Sequence, residues 1–282
     1  MSNSTAASLT LKSPRSERTP DTQPAGPARL AGQVVRVADL VPDEREQMYA
    51  LLSRYFANTT REQFTRDLAW KEWAIVLRDS VTRRVQGFST LARFTLTAGG
   101  ASEGQPVVVF FSGDTIIDRD YWGETELPRL WGQHVFRLAD RVRDASVYWF
   151  LICSGYKTYR YLPLFFIEFY PRCERATPAP IKALLDHLGR ITLGDAYDPA
   201  RGVIRFTHAP RLQPGVASIT QQRMKNPHVA FFIDANPGHA EGDELACLAE
   251  LSRGNLTPAG RRMVGAPQIE RVDDGLSIEE CG

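Results

Sequence analysis

Ser112, Gly113 and Asp114 interrupt the end of an apolar run, Val107-Val-Val-Phe-Phe-Ser-Gly-Asp-Thr-Ile-Ile117. A glycine inside a buried strand often marks a bulge, which frees a backbone N–H to meet developing negative charge. Asp114 beside it is a candidate general base. The same three residues also read as the place where the buried part of the strand ends. The loop that follows, Asp118-Arg-Asp-Tyr-Trp-Gly-Glu-Thr125, leads into a helix, and the free N–H groups of a helix start can hold an anion. Further on, Glu168 stands between Ile167 and Phe169, and a carboxylate in apolar surroundings must find a partner or shift its pKa. Asn236 and His239 fall in a glycine-containing segment, Asn236-Pro-Gly-His-Ala-Glu-Gly-Asp243.

Several chemistries are absent from the chain. It has no Gly-x-Ser-x-Gly elbow and no Gly-x-x-x-x-Gly-Lys loop, so serine-hydrolase and P-loop readings find no support. The histidines at 134, 187, 208, 228 and 239 lack metal-helix spacing, and the cysteines at 153, 173, 247 and 281 lack metal-like spacing. No metal and no structural disulfide are expected, which suits a reduced, cytoplasmic protein. Lys plus Arg total 34 against 33 Asp plus Glu, a net charge of +1, so no nucleic-acid partner is expected. The longest apolar stretch, Tyr161 to Pro171, is short and is broken by Pro163 and Glu168, so no membrane span is expected. The N-terminus lacks a basic-then-apolar leader.

The elements that must position these residues follow from periodicity and turn signals. Residues 1–31 are rich in Ser, Thr, Pro and Ala and read as a disordered tail. A short strand is expected over Gln33–Leu40, and a helix opens at Pro42-Asp-Glu with Met48, Leu51, Leu52, Tyr55 and Phe56 on one stripe. A second helix starts near Thr60, with Gln63 completing a capping box. Strands follow at Ala74–Asp79 and Val85–Leu96, joined by the polar turn Ser80–Arg84. A flexible connection at 98–104 leads to the strand at Val107–Ile117. The next helix spans about Glu126 to Arg143, with Leu127, Leu130, Trp131, Val135, Leu138, Ala139 and Val142 on one face. Val147–Cys153 closes a crossover unit, so its two strands should be parallel. Lys157–Pro171 reads as a helix kinked near Pro163. Beyond it come a helix at Ile181–Leu188, a strand at Val203–Thr207, and two apolar strands at Val229–Asp234 and Glu244–Leu251. Residues 264–282 read as a second tail.

The order strand, two helices, two or three strands, glycine loop, helix, strand, helix, terminal strand pair resembles the GNAT superfamily of acyl-CoA-dependent N-acyltransferases. The resemblance covers roughly residues 33–251, and Tyr121 and Gly123 are the positions that match the family's pyrophosphate loop. It implies an α/β fold with a mixed, mostly antiparallel sheet, a parallel fourth/fifth strand pair and helices on both faces. One such domain would fill 32–263, with 174–228 as an insertion and a candidate homodimer element. The activity implied is transfer of an acyl group from a CoA or carrier-protein thioester to a small-molecule amine, with acyl-CoA as co-substrate and no metal. The alternative is a non-catalytic member that binds a small molecule or protein. Residues carried over to the carrier site are Ile116, Ile117, Trp122, Gly123, Glu124 and Thr125. Asp114 and Glu168 would handle the amine's proton, and Ser112, Asn236 and His239 would border the acceptor. The family's acid tyrosine falls where this chain has Phe165 and Phe166, which leaves Tyr159, Tyr161 and Tyr170 as neighbours able to donate; Tyr159 takes the catalytic assignment. The aromatics of 148–170 suit a bulky apolar ligand and suit a core equally.

Overall fold

The computed structural model describes residues 29–96, 106–207, 210–216 and 219–266. Of the expected tails at 1–31 and 264–282, residues 1–28 and 267–282 lie outside the described residues, as does the connection at 98–104; Leu30 and Ala31 instead belong to the first strand and Val264 to the last helix. A single eight-stranded sheet organises the chain. Its strands are β1 (Leu30–Arg36), β3 (Trp73–Asp79), β4 (Val85–Leu96), β5 (Val107–Ile117), β6 (Ser146–Cys153), β10 (Glu244–Glu250), β8 (Val203–Ile204) and β7 (Tyr197–Asp198), in that spatial order. Every neighbouring pair is antiparallel except β5 and β6, which are parallel as a helical crossover requires. A two-stranded ribbon pairs β2 (Phe56–Ala57) with β9 (Arg211–Leu212). The expected mixed, mostly antiparallel α/β sheet with one parallel pair is present.

Helices cover both faces. On one lie α1 (Pro42–Tyr55), α2 (Arg61–Ala69) and α6 (Ala179–Leu193). Met48, Leu51 and Leu52 of α1 and Phe64 and Leu68 of α2 pack on Val76, Phe88 and Ile116. Leu184, Leu185 and Leu188 of α6 pack further along, on Val109, Phe111 and Phe150. The Thr60 capping box forms as expected: Gln63 N–H donates to Thr60 Oγ1 and Thr60 N–H donates to Gln63 Oε1, each at 3.2 Å. The opposite face carries α3 (Glu126–Ala139), α4 (Tyr156–Tyr159), α5 (Tyr161–Phe165), α7 (Gln221–Met224), α8 (Pro227–Ala235) and α9 (Pro258–Val264). There Trp131, Val135 and Phe136 of α3 meet Leu77, Leu91 and Phe110 from below and Val264 of α9 from the side.

Two expectations are corrected, and the segment 174–228, expected as an insertion, is integrated into the fold. Val229–Asp234 is not a strand but the body of α8. Asn226 Oδ1 accepts from the N–H groups of His228 and Val229, and Pro227 occupies the first helical position, both start signals for a helix. The Lys157–Pro171 helix breaks into α4 and α5 and is extended from Phe166. The segment 174–228 is no appendage: α6 covers the sheet, β8 pairs with β10 to extend it, and β9 pairs with β2.

Candidate functional site

β5 and β6 pair from Val107↔Ser146 to Ser112↔Leu151 and then part. β4 stays beside β5 past that point, but the register shifts: Leu91 faces Ser112, and Ser89 faces Thr115. Gly113 and Asp114 therefore oppose Thr90 alone, which makes a β-bulge. Packing shows the same shift. Val109 and Phe111 lie on the α6 face, and strict alternation would put Ile116 on the other; instead Ile116 packs beneath α1 and α2. The extra residue turns both Gly113 and Asp114 into one cavity. Neither has a ladder partner on β4 or β6.

The cavity, about 740 Å³, opens where the helical cover of this face divides between α2 and α6. Phe64, Trp70, Phe111, Ile116, Phe206 and Leu212 give it apolar walls. Trp70 stacks on Phe111 with ring centroids 5.2 Å apart, and Lys71 Nζ stands 3.9 Å from the Trp70 centroid. Lys71 is buried and donates to both carboxylate oxygens of Asp67 at 2.9 Å. Gly113 is crowded: a Cβ there would lie 2.6 Å from Thr90 Oγ1 and 2.7 Å from Lys71 Nζ, so both side chains would have to shift.

Two carboxyl groups meet in this cavity. Burial pushes Asp114 up to about 7, helped by the charge of Asp67 and opposed by Lys71. Glu244, at the start of β10, is also raised to about 7. Burial is again the main cause; the Ser154 hydroxyl, which donates to Glu244 Oε1, opposes it, while the charges of Asp114 and Asp67 add to it. Groups that titrate near neutrality can take and return a proton at physiological pH. At the mouth Lys157 is lowered to about 8, by burial first and then by the charges of Arg223 and Arg119. Its Nζ lies 3.2 Å from the Trp122 ring centroid and donates to Val216 O at 2.8 Å.

Of the residues singled out in the sequence, Asp114, Ile116, Ile117 and Trp122 line this cavity. Ser112 points to the other face, where its hydroxyl accepts from the indole N–H groups of Trp131 and Trp149 at 3.1 and 2.9 Å. Tyr159 is fully buried, donates to Pro171 O at 3.0 Å, and has its pKa driven far up by burial. Glu168 is partly exposed, paired with Arg175 and Arg172 and accepting from Tyr170 Oη at 3.0 Å. Asn236 is buried and its side chain donates to Asp243 O at 2.8 Å, while His239 sits beside Asn236 O at 3.0 Å. None of these five lines the large cavity. Two tyrosines line the cavity, Tyr161 and Tyr55, and the Tyr55 hydroxyl accepts from Arg119 N–H.

The loop after β5 differs from a phosphate cradle. Most of its amides are already used: Asp118 N–H donates to Gln86 O, Arg119 N–H to Tyr55 Oη, and Asp120 N–H to Asp118 Oδ1. Tyr121, Trp122 and Glu124 N–H groups donate within the loop, and Asp118 pairs with Arg54. Gly123, Glu124 and Thr125 do not line the cavity, and Pro128 removes a donor from the first turn of α3. What gathers there instead is cationic: Arg119 and Lys157 flank the Trp122 ring, its centroid 5.6 Å from Arg119 Cζ and 3.2 Å from Lys157 Nζ.

Glu244, Lys71 and Lys157 escaped the sequence reading. The available signal for Glu244 was a carboxylate opening a strand whose next five residues, Leu245–Ala249, are all buried. Lys71 gave none, because its burial is produced by the bulge of a strand distant in sequence.

No protein-family model matches the sequence, and no curated protein matches it. Solved structures that resemble the chain include GNAT family N-acetyltransferases. One is YhbS from Escherichia coli in complex with CoA, at 17% identity and a TM-score of 0.34, over 50% of this chain and 70% of that one. Another is Arabidopsis thaliana NAA60 with acetyl-CoA, at 14% identity and a TM-score of 0.36, over 52% of this chain and 88% of that one. A chain of the NatC complex bound to Gag peptide and CoA matches over 79% of this chain and 99% of its own, at 9% identity and a TM-score of 0.37. At these identities and scores none of them fixes an activity for this chain.

Proposed function

We propose that this protein transfers an acyl group from a thioester to an amine inside the cavity between β5 and β6. The observation that carries the reading is the bulge at Gly113 and Asp114, facing Glu244 across an enclosed, largely apolar space. In such a transfer the amine attacks the thioester carbonyl, an oxyanion forms and collapses, and the thiolate leaves. The amine loses a proton and the thiolate gains one, so two groups titrating near neutrality suit the reaction. Backbone groups released from the ladder at Gly113 and Asp114 are placed to meet the oxyanion. Asp114 and Glu244 are the candidate proton-transfer pair, and Tyr161 is one hydroxyl donor on the cavity wall.

The donor's phosphate charge would be met chiefly by Arg119, Lys157 and Arg223, since most of the loop amides already have acceptors. CoA and a carrier-bound pantetheine both bring such charge. The free thiols of Cys153, Cys173 and Cys247 fit a reducing compartment such as the cytoplasm. The test is to incubate the full chain with acetyl-CoA, longer acyl-CoAs and a panel of primary amines. Thiol release and amide mass are then followed. Turnover that drops roughly 10²–10⁴-fold in Asp114→Asn is expected. No thiol release with any donor, together with no binding heat for CoA, overturns the reading.

A further inference from the structure

Away from the cavity, on the opposite face, the chain brings together three side chains of metal-ligating type. Cys173 and Glu174 lie in the turn that follows Tyr170, and His228 is the second residue of α8, 55 positions after Cys173. Cys173 Sγ stands 3.4 Å from His228 Nδ1, and His228 Nε2 stands 3.6 Å from Glu174 Oε1. One ligand atom from each of the three falls within 4.8 Å of the other two. None of the three lines the cavity.

We propose that Cys173, Glu174 and His228 form a binding site for a borderline-soft divalent cation, with zinc as the fitting ion. The donor set decides the class. Thiolate and imidazole select zinc over the hard cations calcium and magnesium, which take oxygen ligands. The spacing fits as well. A sulfur at ~2.3 Å and a nitrogen at ~2.0 Å from a tetrahedral zinc lie about 3.5 Å apart, close to the observed separation. Glu174 is also oriented from behind: Arg172 Nε donates to Glu174 Oε2 at 2.8 Å, leaving Oε1 toward the imidazole. A partner that fixes one carboxylate oxygen and frees the other is the outer support that ligands in metal sites have. Three protein ligands leave a fourth position for water.

Binding would release the Cys173 thiol proton to solvent and form the Zn–S bond with no change of oxidation state. Its structural consequence is a tie between the Arg172–Arg175 turn and the start of α8, which packs Val229 and Phe232 into the core. The site is independent of the acyl-transfer reading, so either can fail alone.

The test uses the full chain, stripped with chelator and reloaded with zinc. One zinc per chain should survive gel filtration, and zinc should raise the melting temperature. Cys173→Ser and His228→Ala should each abolish retention, and Glu174→Gln should weaken it at least tenfold. Cys281→Ser, outside the described residues, should keep it. Should a variant fold poorly, cobalt(II) added to the unaltered protein reads the same site. A thiolate-to-metal charge-transfer band that persists in Cys281→Ser supports it. No zinc retained, retention unchanged in folded Cys173→Ser, or cobalt bound without that band overturns the proposal.

Discussion

Two glycines on the same strand-to-helix path, Gly113 and Gly123, are needed for different reasons. Gly113 has crowded surroundings, with Thr90 and Lys71 where a side chain would go. Gly123 has open space around it but a φ of +107°, which side-chain-bearing residues rarely adopt. The first interrupts the ladder between β4 and β5; the second closes a loop most of whose amides already have acceptors. On the proposed reading the chemistry gathers at the bulge within the strand, and the loop behind it would contribute the Trp122 ring and the cations around it.

That contrast predicts unequal damage. Glu244→Gln should cut the turnover rate roughly 10²-fold or more, the range for loss of a proton-transfer group. The pH profile sharpens this. With both carboxyl groups raised to about 7, activity should rise as pH climbs through that region, as one limb belonging to the pair. Lys157, lowered to about 8, loses charge above that value, so affinity for an anionic donor should fall there. A flat profile between pH 6 and 9 in a kcat/KM measurement would sink both assignments. Gly113→Ala comes next, since a Cβ would displace Lys71 Nζ and Thr90; misplacement on that scale can cost roughly 10²-fold in kcat. Lys157→Met should be smaller and appear in KM, about tenfold, the worth of one hydrogen bond to a charged group.

The large features were legible because each is written locally. An apolar run, a glycine turn and one helical stripe are enough to place β5, α3 and β6 and the parallel pairing between β5 and β6. Asp114 drew notice because it follows a glycine inside a buried strand, although the same residues also read as the place where the buried part of that strand ends. Where the reading missed, the deciding contact came from elsewhere in the chain. Tyr159 and Glu168 sit in an aromatic segment that local patterning puts near the site. Tertiary packing instead sends Tyr159 into the core toward Pro171 and Glu168 to Arg175. The apolar run Val229–Ile233 fits a strand or a buried helix by periodicity, and Asn226-Pro227 decides for the helix. Cys173 and His228 show no spacing because their proximity is made by the fold alone.

The smallest expected effect is also the sharpest test of the comparison. Gly123→Ala forces a side chain onto left-handed backbone, so it should destabilise the protein by about 1–2 kcal/mol. Its Cβ would meet nothing within 4 Å, so the loop keeps its packing. If donors were gripped by the amides of this loop, bending it would weaken CoA binding severely. If the charge comes from Arg119, Lys157 and Arg223, affinity should change less than about threefold, a difference under 1 kcal/mol. Calorimetry of CoA binding with Gly123→Ala and Lys157→Met side by side separates the two. A larger loss from Gly123→Ala than from Lys157→Met would return the anion site to the loop, because only amides that touch the ligand make backbone geometry matter more than a full charge.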